Sequence, residues 1–154
     1  MTPTRSARAA APDAAAPLRP VVVAGWCVTV LGVAHTVIGL ILTAAHVPGW
    51  FTGTLWGVGG SLASPAPTLG AFWLTVGSFG VPLATLGLVI RWMGLRGIVP
   101  PAVVAWTLAV WCTVAGAMFP SPFPLLWIPA VLLIVQARRA ARAGDGPMRA
   151  EAAL

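Results

Sequence analysis

Acidic residues are nearly absent from this sequence. Three Asp or Glu stand against nine basic residues in 154, and only 8% of the chain is charged. So little charge cannot supply the polar surface of a soluble globular domain. The three acids, Asp13, Asp145 and Glu151, lie near the chain ends, outside every apolar run. Proton relays and ion-coupled transporters place carboxylates among their spans, so a transporter or channel is disfavoured. Cysteine is equally sparse. Cys27 and Cys112 form no CxxC and fall inside apolar segments, where they read as small packing residues. With two histidines far apart, no metal set is visible. No serine sits beside a base in a nucleophile motif, so no catalytic residue is assigned and a non-enzymatic protein is expected.

What the chain has instead is apolar length. Its hydrophobic content is 58% and its mean hydropathy +0.91, values of an integral membrane protein in which lipid replaces water around most of the surface. Residues 1–20 are Ala, Pro and Arg with almost nothing to bury and read as a disordered tail. The membrane domain is expected over 21–137, with spans at 21–45, 69–90, 102–119 and 123–136. The first run is too long for a signal-peptide core of about 7–15 residues, so it reads as an uncleaved helix. Residues 46–68 read as a loop with a short interfacial helix around Phe51 to Trp56. Pro82 is expected to kink the second span and free the carbonyl of Ser78. The fourth span is the weakest, short and interrupted by Pro129 after the PSPFP turn. Residues 138–154 read as a basic, disordered tail.

The arginines give the orientation. Arg5, Arg8 and Arg19 precede span one, Arg91 and Arg96 join spans two and three, and Arg138, Arg139, Arg142 and Arg149 follow span four. Four spans put all of them on one side, the cytoplasm by the positive-inside rule, with both termini inside. Trp26 and Trp92 then fall at the inner interface, and Trp50, Trp56, Trp73 and Trp127 at the outer one. The formal charge of +6 would suggest nucleic acid only if the arginines formed one patch. Placed at the ends of spans, they point to the bilayer as partner and to no nucleic acid.

The fold expected is an all-α, antiparallel, left-handed bundle of four transmembrane helices in the cytoplasmic (inner) membrane. At 100° per residue, Gly25, Thr29, Gly32, His35, Thr36, Gly39, Thr43 and His46 share one arc of roughly 120°. Span two carries Trp73, Gly77, Gly80, Ala84 and Gly87 at spacing 4-3-4-3. Span three carries Ala102, Ala105, Ala109, Cys112 and Gly116 at 3-4-3-4. Small residues let helix backbones approach closely where lipid gives no hydrophobic drive.

His35, roughly 20 Å along its helix, is the one ionisable residue deep in a span. Equal depth in the antiparallel neighbours falls near Ser78 and Thr113, so a hydrogen-bonded clasp between helices is the plainest role. The other is a cofactor or ligand site: haem, quinone or another lipophilic molecule. One haem cannot use both His35 and His46, about 16 Å apart on one helix. His46 reads as a helix-end residue facing water. Trp106 and Trp111 lie deeper than the belts and could line a cleft.

The succession GWCVTVLGVAHTVIGL, AFWLTVGSFGVPLATLGLVIRW and PPAVVAWTLAVWCTVAGAMFPSPFPLLWIPAVLLI resembles a family of small four-helix membrane proteins of high-GC bacteria, a domain of unknown function. The likeness rests on Gly32-x-x-His35-x-x-x-Gly39, Phe72-Trp73 opening span two, a proline-led span three and a Pro-Ser turn into span four. It covers roughly residues 24–136. It implies architecture and supplies no catalytic residue. The family's turn after span three tends to read Pro-Ser-Gly-aromatic-Trp, whereas Pro120-Ser121-Pro122-Phe123-Pro124 stands here, so span four is expected to enter at a different angle. The leading expectation is a non-enzymatic membrane protein that stabilises or modulates a partner, either its own oligomer or another membrane protein. Ligand binding at His35 is the alternative.

Overall fold

The computed structural model describes residues 16–53, 55, 65–118 and 122–151, with side chains to residue 143, and every regular element among them is helical. Helix α1 spans Arg19–Leu42 and passes into a 3-10 helix, Ala44–Phe51. Then come α2, Pro67–Leu74, α3, Gly80–Leu95, and α4, Ala102–Met118. A 3-10 turn, Phe123–Leu126, leads into α5, Trp127–Glu151. Two helices, Arg19–Leu42 and Phe123–Ala143, are long and apolar enough to cross a membrane, and Gly80–Leu95 and Ala102–Met118 are shorter apolar helices. The tail 1–15 and Trp56 lie outside the described residues.

Three local differences from the sequence reading have physical causes. The run 69–90 is two helices broken at 75–79. Pro82 has no N–H and its ring opposes the carbonyl four residues back, so a helix cannot run unbroken from Ser78 through it. Instead α3 begins at Gly80, which puts Pro82 in a first turn whose N–H groups need no helical acceptor. The expected mid-span kink becomes a helix start. Thr75, fully buried, closes α2 by donating its hydroxyl to Ala71 O at 2.7 Å. Second, the fourth apolar run is not short. Phe123 to Leu126 continues directly into α5, and Pro129 again occupies a first turn. Third, α5 runs on past Arg138 to Glu151; Ala137, Arg138, Arg139, Ala140, Ala141 and Arg142 are strong helix formers that carry it through the basic stretch.

Helix α1 lies between α3 and α5, and α4 packs on α5. The α1–α3 contact is made by backbone. A Cβ at Gly25 would stand 2.5 Å from Arg91 N, and one at Gly32 2.5 Å from Ala84 N and 2.6 Å from Gly80 O. From the other side, Gly80 faces Thr36 and Gly32 O, Gly87 faces Thr29 and Gly25 O, and Gly94 faces Val22 and Val21. These contacts hold one antiparallel register along most of α3. At its end the N–H of Leu18 donates to Gly94 O at 2.8 Å, tying the start of α1 to the end of α3.

The threonines along this seam satisfy their own hydroxyls. Thr29, Thr36 and Thr43 donate to the carbonyls of Gly25, Gly32 and Gly39 at 2.9, 3.1 and 2.8 Å. Each hydroxyl is thus bonded within its own helix four residues back, while at the end of the seam the buried Nε of Arg91 has no hydrogen-bond partner among the described residues. The rest of the core is aliphatic: Ala24 and Val28 of α1, Leu83 and Ile90 of α3, Ala105, Ala109 and Cys112 of α4, with Ala130 and Leu133 of α5. Gly116 of α4 meets Pro124 and Phe123 more loosely, at 3.5 Å and 4.0 Å from an added Cβ.

Alanine is favoured over glycine in a helix by about 1 kcal/mol, yet Gly32→Ala and Gly87→Ala are expected to destabilise the protein by about 1–3 kcal/mol through overpacking. Gly70→Ala, whose nearest foreign atom is Pro65 Cγ at 3.9 Å, is expected to leave stability unchanged or slightly raised. Thermal unfolding of the purified variants reads the difference. A Gly32→Ala protein as stable as wild type contradicts the seam.

Candidate functional site

His35 lies on the same side of α1 as the glycine seam, one turn after Gly32. Its Nε2 is 2.8 Å from Ser78 Oγ. The break before α3 presents Ser78 there: Ser78 N–H donates to Thr75 O at 3.2 Å, and Gly77 N–H to Phe72 O at 2.9 Å. The loop that ends α2 therefore offers a hydroxyl that a continuous helix would turn elsewhere. Thr113, the other residue counted to the same depth, does not reach His35. It is exposed on α4 and donates to Ala109 O of its own helix at 2.7 Å. Depth along a helix gives height but not azimuth, so the sequence could not choose between them.

An aromatic group backs the imidazole. Phe79 packs on His35 with centroids 4.2 Å apart and a tilt of 32°. Phe79 also meets Trp111 edge-on at 5.0 Å and Phe123 at 5.3 Å, and Trp111 meets Phe123 at 5.2 Å. Such pairs contribute about 0.5–1.5 kcal/mol each beyond burial. They join the start of α3 to α4 and to the turn before α5 at the level of His35.

Beside this group lies a cavity of about 310 Å³. Leu31, Leu74, Leu83 and Leu126 form its aliphatic wall. Phe79, Pro122 and Phe123 complete the lining, with His35 its one titratable group among the described residues. The volume is at the small end for ligand sites, about 300–1,000 Å³, and the pattern of apolar walls with one polar group is typical of them. Among the described residues, the lining holds no nucleophile and no carboxylate. Among the described residues, no three His, Cys, Asp or Glu stand together as a metal site.

Other candidates lie apart. His46 is exposed in the 3-10 helix after α1. Trp106 and Trp111 line a shallow open groove on the outer side of α4 with Thr107, Val110 and Val114. Of the small residues read as seams, Gly25, Gly32, Gly39, Gly80 and Gly87 are buried between α1 and its partners, and Ala84 lies against Gly32. Gly77 instead faces Phe72 and Trp73. Ala105, Ala109 and Cys112 are buried, whereas Ala102 is exposed.

The sequence reading missed Gly94, which the seven-residue spacing Gly80, Gly87, Gly94 could have shown. It also missed Phe79 and Phe123, for which no periodic signal exists.

The chain belongs to a family of unknown function (DUF6463), whose model matches residues 19–140. This bears out the resemblance to an uncharacterised domain. No curated protein and no solved structure matches the chain.

Proposed function

We propose that this chain is a four-span protein of the cytoplasmic membrane, with both termini inside, that binds a small lipophilic molecule beside His35 and catalyses no reaction of its own. Exposed apolar side chains support the membrane setting. Ile41 is 69% exposed, Val103 67% and Val110 60%, on an outer surface where large apolar side chains from every long helix face outward, as lipid rather than water would favour. At about 1.5 Å per residue α3 alone is shorter than a hydrocarbon core of about 30 Å, and α2 makes up the length of the second span.

Three features support the orientation. Arg19 opens α1 beside the end of α3, where Arg91 and Arg96 stand, through the bond between Leu18 and Gly94. Arg91 lies over Trp26 at 4.8 Å and Arg96 over Trp92 at 4.0 Å. Arginine and tryptophan so paired suit a cytoplasmic interface. In a Cys27→Ala, Cys112→Ala background, a cysteine replacing Phe51 is expected to react with an impermeant maleimide in intact cells, and one replacing Arg96 only after lysis. The opposite pattern contradicts the topology.

The cavity carries the binding reading, because an apolar space of this size with one polar group serves no packing purpose. A reading without a ligand is favoured by the His35–Ser78 bond, which already uses one ring nitrogen. Naphthalene titrated into the full chain in nanodiscs, against empty nanodiscs of the same lipid, tells them apart. One saturable site per chain is expected, weakened at least tenfold by Leu31→Phe and unchanged by Thr107→Ala in the α4 groove. Absence of saturable binding leaves the packing reading.

A further inference from the structure

We infer that the occupant of the cavity is a flat, uncharged ring compound bearing a carbonyl or equivalent acceptor, which takes a hydrogen bond from Nδ1–H of His35. The inference rests on the binding reading above and assigns the chemistry of its ligand.

The imidazole is held by one edge. Its Cδ2 lies 2.9 Å from the place a Cβ of Gly80 would occupy, and Nε2 lies 2.8 Å from Ser78 Oγ. The Cδ2–Nε2 edge is therefore against α3. Nδ1 lies on the opposite edge of the ring, and no hydrogen bond to it exists among the described residues. His35 lines the cavity, and with the Cδ2–Nε2 edge against α3 and Phe79 on one face, we assign the Nδ1 edge to the cavity side.

The Ser78 bond decides which nitrogen carries the proton. A neutral imidazole has one donor and one acceptor nitrogen. Were Nε2–H to donate to Ser78 Oγ, the serine proton would lack an acceptor among the described residues, and Nδ1 would be an unmet acceptor as well. If instead Ser78 Oγ–H donates to Nε2, the serine proton and Nε2 are both satisfied, and a single donor, Nδ1–H, remains. The second arrangement leaves fewer orphaned groups and is favoured on that ground. The doubly protonated ring presents the same Nδ1–H. In either form the group facing the cavity is a donor, and its ligand must bring an acceptor.

Size and wall chemistry set the remaining features. A dry cavity of about 150 Å³ accommodates benzene, so one of about 310 Å³ suits one or two fused rings. Phe79 and Phe123 offer ring faces and edges to a flat guest. Among the described residues the lining holds no charged side chain, so an ionic ligand would find no partner against its apolar walls. Haem fits poorly. Ser78 already takes Nε2, and iron would be left with Nδ1, crowded by the side chain's own Cβ.

The test compares 1-tetralone with tetralin, rings of nearly equal size that differ in the carbonyl. Each is bound to the full chain in nanodiscs and corrected by empty nanodiscs. Wild type is expected to prefer the ketone by about three- to tenfold, the worth of one hydrogen bond. His35→Phe is expected to bind both equally. Saturable binding of both rings by wild type without preference overturns the donor assignment and leaves the binding reading standing. Binding of neither overturns both. A second measurement needs no ligand and no variant at the site: ¹⁵N spectra of the His46→Gln chain, in which His35 is the only histidine. A proton on Nδ1 is expected, and a proton on Nε2 with Nδ1 bare overturns the inference.

Discussion

Backbone contact between α1 and α3 is the constraint on which the rest of this molecule depends. At Gly25, Gly32, Gly80 and Gly87 there is no room for a Cβ, and the atoms that would meet it are mostly backbone, with Thr29 and Thr36 beside them. Backbone cannot rotate away as a side chain can, so the two helices hold one register. Threonine hydroxyls bonded to the glycine carbonyls of their own helix leave the hydroxyls of the seam satisfied. Helix association of this kind draws on close packing and needs no hydrophobic drive, which suits the bilayer setting proposed above.

The site follows from that register and from one proline. Pro82 obliges α3 to begin at Gly80, and the turn before it carries Ser78 and Phe79. The seam then sets His35 against both, Ser78 by a hydrogen bond and Phe79 by ring contact. Phe79 relays the contact to Trp111 and Phe123. Phe79 and Phe123 of this aromatic group also line the cavity beside His35. The imidazole is clasped at Nε2, with no hydrogen bond to Nδ1 among the described residues, which is the geometry on which the ligand proposed above rests.

How much of this was legible in the sequence depended on period. The glycine, threonine and histidine positions of α1 recur at helical spacing, and a wheel alone placed them on one face. Gly80 and Gly87 were legible for the same reason. Gly94 continues the same seven-residue spacing but falls beyond residue 90, where the second span is expected to end. The break at 75–79 was hidden because hydropathy stays high across it, and only the local rule for Pro82 pointed there. The long α5 was obscured because its second half is polar, and hydropathy registers burial rather than helicity. Phe79, Trp111 and Phe123 meet across separations that no periodicity encodes.

A double-mutant cycle between His35 and Ser78 tests most directly whether the seam sets the imidazole on the serine. Unfolding free energies of wild type, His35→Ala, Ser78→Ala and the double variant, measured in bilayer-like bicelles, isolate the pair term. A coupling of about 0.6–1.7 kcal/mol is predicted, the range of interhelical hydrogen bonds in membranes, with none between His35 and Thr113. Additive His35 and Ser78 effects, or coupling to Thr113 instead, would contradict the account.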